Sequence, residues 1–147
     1  HPDYLAELET MVAERGLEDR VRFHGFHDRP HEIYPCFDAV VLATQNETFG
    51  LVLIEAMHAE VAVVGSRAGG VPEIIDDGVN GYLRHPDDID GMVAAARAVL
   101  SDPAHQRQLR EEARRDAVES FGARCVLKQY VELYDRVLAS RDAGASG

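Results

Sequence analysis

Two short apolar runs separated by a helical pattern restrict the folds that this chain can adopt more than any other feature does. Residues 39–43 (AVVLA) and 61–65 (VAVVG) are rich in β-branched side chains, as parallel strands covered on both faces are. Residues 51–59 between them predict a helix, so the unit is a strand–helix–strand crossover of an open α/β sheet. The ligand site of such a sheet lies beyond the carboxyl ends of its strands, which points to residues 44–51 and 66–72.

The rest of the pattern extends this α/β architecture into a helical C-terminal part. The predicted elements are a helix over 3–15 stopped by Gly16, a strand over 21–25, one or two helical turns within 30–37, a short helix starting at Pro72, a strand over 79–83, and helices over 87–100, 104–118 and 123–138. Small polar residues from 140 to 147 predict a flexible tail, and we expect residues 1–139 to form one domain.

Composition excludes several classes of protein. The chain has 147 residues and a net charge of −11, which argues against binding to nucleic acid or to an anionic membrane. No apolar run approaches the roughly 20 residues of a membrane span, and no leader-like segment opens the chain. Cys36 and Cys125 suit reduced thiols of a cytoplasmic protein. Because the chain opens on His1-Pro2, we expect it to be a piece of a longer protein.

Glu55 is the one carboxylate in a helix that is otherwise apolar on every side. The apolar residues Leu51 to Ile54, Ala56 and Met57 predict burial of the whole helix. A buried carboxylate needs a partner, a proton or a cavity, because an unpaired charge there costs several kcal/mol. Glu55 is therefore either part of a buried ion pair with an arginine or a residue of a functional site.

The entry to this helix suits an anionic ligand. Gly50 lacks a Cβ, so a ligand can approach the backbone, and the free N–H groups of a first helical turn attract anions. Glu55 follows about one and a half turns later, and its side chain tilts back toward that end. A nucleotide sugar, with its diphosphate and its hydroxyl groups, matches this arrangement. Glu47 is either a sugar ligand or a partner of the helix dipole.

Other patterns do not carry chemistry. Gly69-Gly70 lacks the lysine of a phosphate-binding loop and is either a lining of the ligand cleft or a tight turn before Pro72. Five residues resemble metal ligands by type but not by zinc-site spacing, and we expect them to be solvated and no metal to bind: His24, His27, Asp28, His31 and Glu32.

Residues 47–55 (ETFGLVLIE) resemble the Glu-x7-Glu signature of retaining glycosyltransferases with the GT-B fold. Further segments resemble blocks of that family in the same order: 21–25 (VRFHG), 38–42 (DAVVL), 69–73 (GGVPE) and 77–83 (DGVNGYL). The chain is thus similar to the C-terminal, donor-binding domain of a group 1 (family 4) glycosyltransferase. The resemblance implies a Rossmann-like open parallel sheet with flanking helices, one half of a GT-B fold.

The resemblance also implies roles for individual residues. Glu55 would bind the ribose hydroxyls of the donor, and amides near Phe49, Gly50 and Leu51 would hold its diphosphate. Glu47 would meet the donor sugar as the catalytic residue. No metal and no cofactor would be needed, because the helix end and basic side chains take up leaving-group charge. The reaction would be hexosyl transfer, with retention, from a nucleotide-diphosphate sugar to a glycan, lipid or small molecule in glycan biosynthesis.

The resemblance further implies parts that this chain lacks. These are the first strand of the domain and the N-terminal acceptor-binding domain, through which the whole protein would associate peripherally with a membrane. We therefore expect the chain alone to be inactive. Two alternatives are half of a nucleotide-sugar epimerase of the same architecture, and a non-catalytic GT-B-like binding module.

Two positions depart from the family pattern. Glu60 and Ala62 stand where the family commonly has Gly and Pro. A glutamate at the end of a helix is unfavourable because of the helix dipole, and it lacks the left-handed turn that glycine readily provides. Glu60 therefore either weakens the end of the helix or marks a chain under relaxed constraint.

Overall fold

The computed structural model describes residues 2–144 and divides them into two compact units, one ending at Pro30 and one beginning at His31. Helix α1 (Pro2–Glu14) is the regular element of the first unit. Gly16 has a φ of 62° just beyond it, and the Leu17 N–H donates to the Val12 carbonyl oxygen at 3.0 Å. A glycine in this conformation satisfies the last carbonyl groups of a helix, which confirms Gly16 as the stop signal.

The strand predicted over residues 21–25 is wrong. The described residues of the first unit contain no strand, and Val21 and Phe23 lie exposed. Alternating apolar side chains favour extended backbone, but a strand also needs a neighbouring backbone to complete its hydrogen bonds. Within residues 2–30 there is no such neighbour.

The second unit contains the α/β architecture. In chain order its elements are β1 (Ala39–Leu42), α2 (Leu51–His58), β2 (Ala62–Ser66), β3 (Tyr82–Arg84), α3 (Ile89–Ser101), α4 (Pro103–Phe121) and α5 (Ala123–Gly144), with 3₁₀ turns at Pro30–Glu32, Tyr34–Cys36 and Val71–Glu73. Of the expected tail, residues 140–144 continue α5 and residues 145–147 lie outside the described residues.

The strands form one parallel sheet, which confirms the predicted fold class. Within residues 31–144 its order is β1-β2-β3, with Ala39 opposite Ala62 and Val64 opposite Tyr82. All five residues of β2 are buried, as the sequence of a central strand predicts. On one face α2 and the C-terminal half of α4 cover Val63, and on the other face α3 and the start of α4 cover Val64.

Glu60 closes α2 in the conformation that glycine usually takes. Its φ is 58°, its N–H donates to the Met57 carbonyl oxygen at 3.0 Å, and the Val61 N–H donates to the Ala56 carbonyl oxygen at 2.9 Å. The left-handed turn is therefore made by a residue with a Cβ. The Glu60 carboxylate accepts a hydrogen bond from the Arg114 guanidinium of α4 at 2.5 Å, which offsets part of the backbone cost.

We expect Glu60→Gly to leave the free energy of unfolding unchanged or to raise it by up to about 1 kcal/mol. Glycine relieves a left-handed strain of roughly 1–2 kcal/mol, whereas the exposed ion pair with Arg114 contributes about 0.2–1 kcal/mol. Glu60→Ala is the matched control, because it removes the ion pair and keeps the strain. Urea unfolding should place the glycine variant about 1 kcal/mol above the alanine variant, and the reverse order would contradict this account.

No helix within residues 2–144 is long and apolar enough to cross a membrane. Cys36 and Cys125 are both free thiols, as expected. Cytoplasmic localisation stays a prediction.

Candidate functional site

The loops that follow β1 and β2 meet at the carboxyl edge of the sheet, where the sequence predicted the site. Ser66, the last residue of β2, is fully buried and joins them. Its Oγ accepts a hydrogen bond from the Thr44 N–H at 2.9 Å and lies 2.5 Å from the Thr44 carbonyl oxygen and 3.2 Å from that of Leu42. One hydroxyl group thereby satisfies the backbone at the point where β1 becomes a loop.

Gly69 and Gly70 bring the two loops into backbone contact. Gly69 has a φ of 51°, and a Cβ built on it would lie 1.5 Å from the Glu47 carbonyl oxygen. A Cβ on Gly70 would lie 2.9 Å from the Thr48 carbonyl oxygen and 3.0 Å from the Phe49 Cα. Of the two readings of this pair, the structure supports a tight turn that packs directly against the loop before α2.

Glu47 caps the loop that leads into α2. Its Oε1 accepts hydrogen bonds from the N–H groups of Phe49 at 3.2 Å and Gly50 at 3.1 Å. Among the contacts of the described residues, the amides of Leu51 and Val52 have no acceptor, as is usual for a first helical turn. The structure therefore has Glu47 as a backbone cap in this conformation, with its Oε2 available to a ligand.

Gly50 is required by the fold at this position. Its φ is 103°, and a Cβ on it would approach the Ile74 Cδ1 to 3.1 Å and the Val71 Cγ2 to 3.5 Å. The missing Cβ therefore leaves room for core side chains of the 3₁₀ turn. The nearby Phe49 ring makes an edge-to-face contact with Phe121 at the end of α4, with ring centroids 5.9 Å apart.

The expected burial of α2 on every side is wrong. Leu53, Ile54, Ala56 and Met57 are buried against the sheet and α4, but the opposite face is exposed, including Leu51, Val52 and Glu55. The burial of a helix depends on what covers it, and no described element covers this face. Glu55 is thus a solvent-accessible carboxylate rather than half of a buried ion pair.

Glu55 nevertheless has a partner, which is a tyrosine from the 3₁₀ turn before β1. The Tyr34 hydroxyl donates a hydrogen bond to the Glu55 Oε2 at 2.9 Å. Burial, and then the hydrogen bond to the carboxylate and its charge, raise the pKa of Tyr34 to about 12. This phenol therefore keeps its proton and remains a donor throughout the neutral pH range.

Within residues 2–144 no group of three or more His, Cys, Asp or Glu side chains is arranged to hold a metal ion. His27 accepts a hydrogen bond from the Arg29 N–H at 3.2 Å, inside its own loop.

Ser66 opens the segment 66–72, to which the sequence pointed, because a polar residue directly after a buried strand lies at the edge where ligands bind. The sequence did not identify Tyr34 or Phe121 as neighbours of the site. Tyr34 and Phe121 contact residues that are 21 and 72 positions away (Glu55 and Phe49), and no periodic pattern indicates contacts over such separations.

Comparison with known proteins identifies the class to which this fold and site belong. Residues 2–116 match the family model described as glycosyl transferases group 1. Two relatives are N-acetyl-alpha-D-glucosaminyl L-malate synthase of Bacillus anthracis, 36% identical over 93% of this chain, and the MMP alpha-(1->4)-mannosyltransferase of Mycolicibacterium hassiacum, 32% identical over 89% of it. This chain covers 36% and 33% of them, respectively, and so spans about a third of their length.

Solved structures agree with this assignment. The Anabaena Alr3699/HepE protein, crystallised in complex with UDP, superposes with a TM-score of 0.87 at 29% identity, over 92% of this chain and 37% of that one. Sucrose-phosphate synthase from Thermosynechococcus elongatus superposes with a TM-score of 0.82 at 31% identity, over 92% and 34%. The fold is the C-terminal half of the GT-B glycosyltransferase class. The chain belongs to the group 1 glycosyl transferases.

Proposed function

We propose that this chain binds a nucleotide-diphosphate sugar and forms the donor-binding part of a retaining glycosyltransferase that needs no metal. The observation that carries the proposal is the start of α2, where two open amides follow an anchored glutamate and precede Glu55 by about one turn. A solved relative in complex with UDP-glucose supports the choice of ligand. The acceptor site belongs to the rest of the protein in this proposal, since the chain spans about a third of its relatives.

The diphosphate, the sugar and the ribose of the donor each have a partner in this proposal. The diphosphate binds at the Leu51 amide and its neighbour Val52, where the positive end of the helix dipole favours an anion. Phe49 and Gly50 act through Glu47, because their amides hold its Oε1 and leave Oε2 for the hydroxyl groups of the donor sugar. Glu55 accepts hydrogen bonds from the ribose hydroxyls.

In the proposed reaction the bond between the sugar C1 and the diphosphate oxygen breaks, and a bond from C1 to the acceptor oxygen forms on the same face. The acceptor proton passes to the departing diphosphate. The helix end stabilises the negative charge that develops on the leaving group, which is the task a metal performs in other transferases. The configuration at C1 of the product, read by NMR from its proton coupling, tests retention in the full-length protein.

We expect Glu55→Ala to weaken nucleotide binding about tenfold or more, a loss of at least about 1.4 kcal/mol, because two charge-assisted hydrogen bonds disappear. The measurement is a calorimetric titration with UDP, GDP and ADP in the presence of EDTA. Saturable binding of one nucleotide under these conditions supports a metal-independent donor site and identifies the base.

Glu60→Ala is the matched control, since it removes the same charge beyond the other end of α2 and should leave the affinity unchanged. If none of the three nucleotides binds, the chain acts as a non-catalytic module and the proposal fails. None of the relatives described above is named as an epimerase, so that alternative gains no support from them.

A further inference from the structure

Glu55 is an exposed side chain held by a buried one. The Tyr34 ring is only 6% exposed and packs in the same core cluster as Ile54, the residue before Glu55 in α2. It also makes an edge-to-face contact with Phe37, with ring centroids 6.4 Å apart. The ring position is therefore set by the core. Its hydroxyl group reaches the Glu55 Oε2 at 2.9 Å, so the core determines where the carboxylate lies.

The hydrogen-bonding capacity of this pair leaves room for a ligand. An ionised carboxylate accepts about four hydrogen bonds, and Tyr34 occupies one position on Oε2. About three positions remain, two on Oε1 and one on Oε2, which is enough for two further hydrogen-bond donors. Two neighbouring hydroxyl groups, as in a ribose, can donate one bond to each oxygen of a carboxylate held in this way.

Holding Glu55 in advance favours binding. A free glutamate side chain samples several rotamers about three bonds, and fixing it on association lowers affinity. Tyr34 fixes it when the protein folds, before any ligand arrives. Burial and the adjacent carboxylate keep the pKa of Tyr34 near 12. The Tyr34 hydroxyl therefore keeps its proton, and can donate its hydrogen bond to Glu55, at every pH at which the site would work.

We propose that Tyr34 is a positioning residue that orients Glu55 to accept both ribose hydroxyls of the nucleotide. The inference rests on the proposed donor-binding function. It predicts that Tyr34 contributes to recognition of the ribose and not to binding of the base or the diphosphate.

The test is Tyr34→Phe, titrated with the nucleoside diphosphate that binds the unmutated protein and with its 2′,3′-dideoxy analogue. We expect about three- to tenfold weaker binding of the ribose nucleotide and unchanged binding of the dideoxy analogue. The ratio of the two affinities should therefore fall toward one. Phenylalanine keeps the ring and its contacts, and the exposed Glu55 carboxylate returns to water, so the fold should persist.

Two further variants separate positioning from general effects. Tyr82→Phe is the matched control, because it also removes a tyrosine hydroxyl with one side-chain partner, His105 at 2.8 Å, and should leave the affinity ratio unchanged. In a Glu55→Ala background, Tyr34→Phe should have no additional effect on ribose affinity, since Tyr34 acts only through Glu55.

The possible outcomes are distinct. If the unmutated protein prefers the ribose nucleotide and Tyr34→Phe keeps that preference, the inference is overturned and the donor-binding function stands. An equal loss for both ligands indicates a purely structural role and also overturns it. If the unmutated protein binds no nucleotide, both the proposed function and the inference fail.

A second measurement needs no substitution. Relaxation of side-chain methylene groups in the free protein should report an ordered Glu55, whereas the exposed Glu119 of α4 should be mobile. Equal mobility of the two side chains would overturn the inference even if Tyr34→Phe did not fold.

Discussion

Replacing Gly69 with alanine should lower the free energy of unfolding by about 2–5 kcal/mol and abolish nucleotide binding. The new Cβ would lie 1.5 Å from the Glu47 carbonyl oxygen, a distance at which the backbone of one loop must move. Gly69 also has a φ of 51°, where a side chain adds roughly 1–2 kcal/mol of strain. Because the displaced loop carries Glu47 and leads into α2, the proposed diphosphate and sugar contacts would be lost with it.

Gly78→Ala separates the effect of the close contact from the effect of the strained backbone. Gly78 has a φ of 81°, but a Cβ on it would meet nothing within 4 Å. We therefore expect backbone strain alone to lower the free energy of unfolding of this variant, by roughly 1–2 kcal/mol, and nucleotide affinity to stay unchanged. Urea unfolding of both variants, with a nucleotide titration of each, makes the comparison. Equal stability of the two variants would contradict the contact between Gly69 and Glu47.

Asn80→Ala should lower the free energy of unfolding by about 2–4 kcal/mol. Asn80 is only 3% exposed, and its side-chain amide joins the loop before β3 to α4. Its Oδ1 accepts a hydrogen bond from the Asp76 N–H at 2.8 Å, and its Nδ2 donates to the Ile74 carbonyl oxygen at 3.1 Å and to the Asp116 carboxylate at 2.9 Å. Truncation leaves buried backbone groups unpaired and creates a cavity, both of which are costly.

The control is Asn46→Ala, an exposed asparagine whose truncation should change the free energy of unfolding by less than about 0.5 kcal/mol. Asn80→Asp tests the contact with Asp116, because it replaces the donor with a second carboxylate. At pH 7 we expect it to destabilise the fold at least as much as alanine does. A stability near that of the unmutated protein in either Asn80 variant, measured by urea unfolding, would contradict these contacts.

The predicted secondary structure was accurate where an element is determined by the residues within a short stretch of sequence. β1 was expected over 39–43 and spans Ala39–Leu42, and α2 was expected over 51–59 and spans Leu51–His58. Buried parallel strands and helices can be recognised from the composition and the hydrophobic period of about ten residues. The loops after β1 and β2 could be chosen as the site because the carboxyl edge of a parallel sheet is shared by all its strands.

The errors occurred where a residue's environment depends on distant chain. The segment at 21–25 has the side chains of a strand but no strand partner within residues 2–30. Glu55 was expected to be buried because its helix is apolar all round, yet the helix has one exposed face. The turn at Glu60 was expected to lack a left-handed residue, and Glu60 itself takes that conformation beside Arg114.

The amino-acid sequence was sufficient to establish the α/β class, the order of strands and helices from β1 onward, and the position of residues 47–55 at the carboxyl edge of the sheet, because these depend on local composition and period. Only the folded chain determined that Tyr34 holds Glu55, that Ser66 joins two loops and that Gly69 contacts Glu47. A hydrogen bond or a close backbone contact requires positions accurate to a few tenths of an ångström. Such accuracy is set by packing between elements that are far apart in the chain.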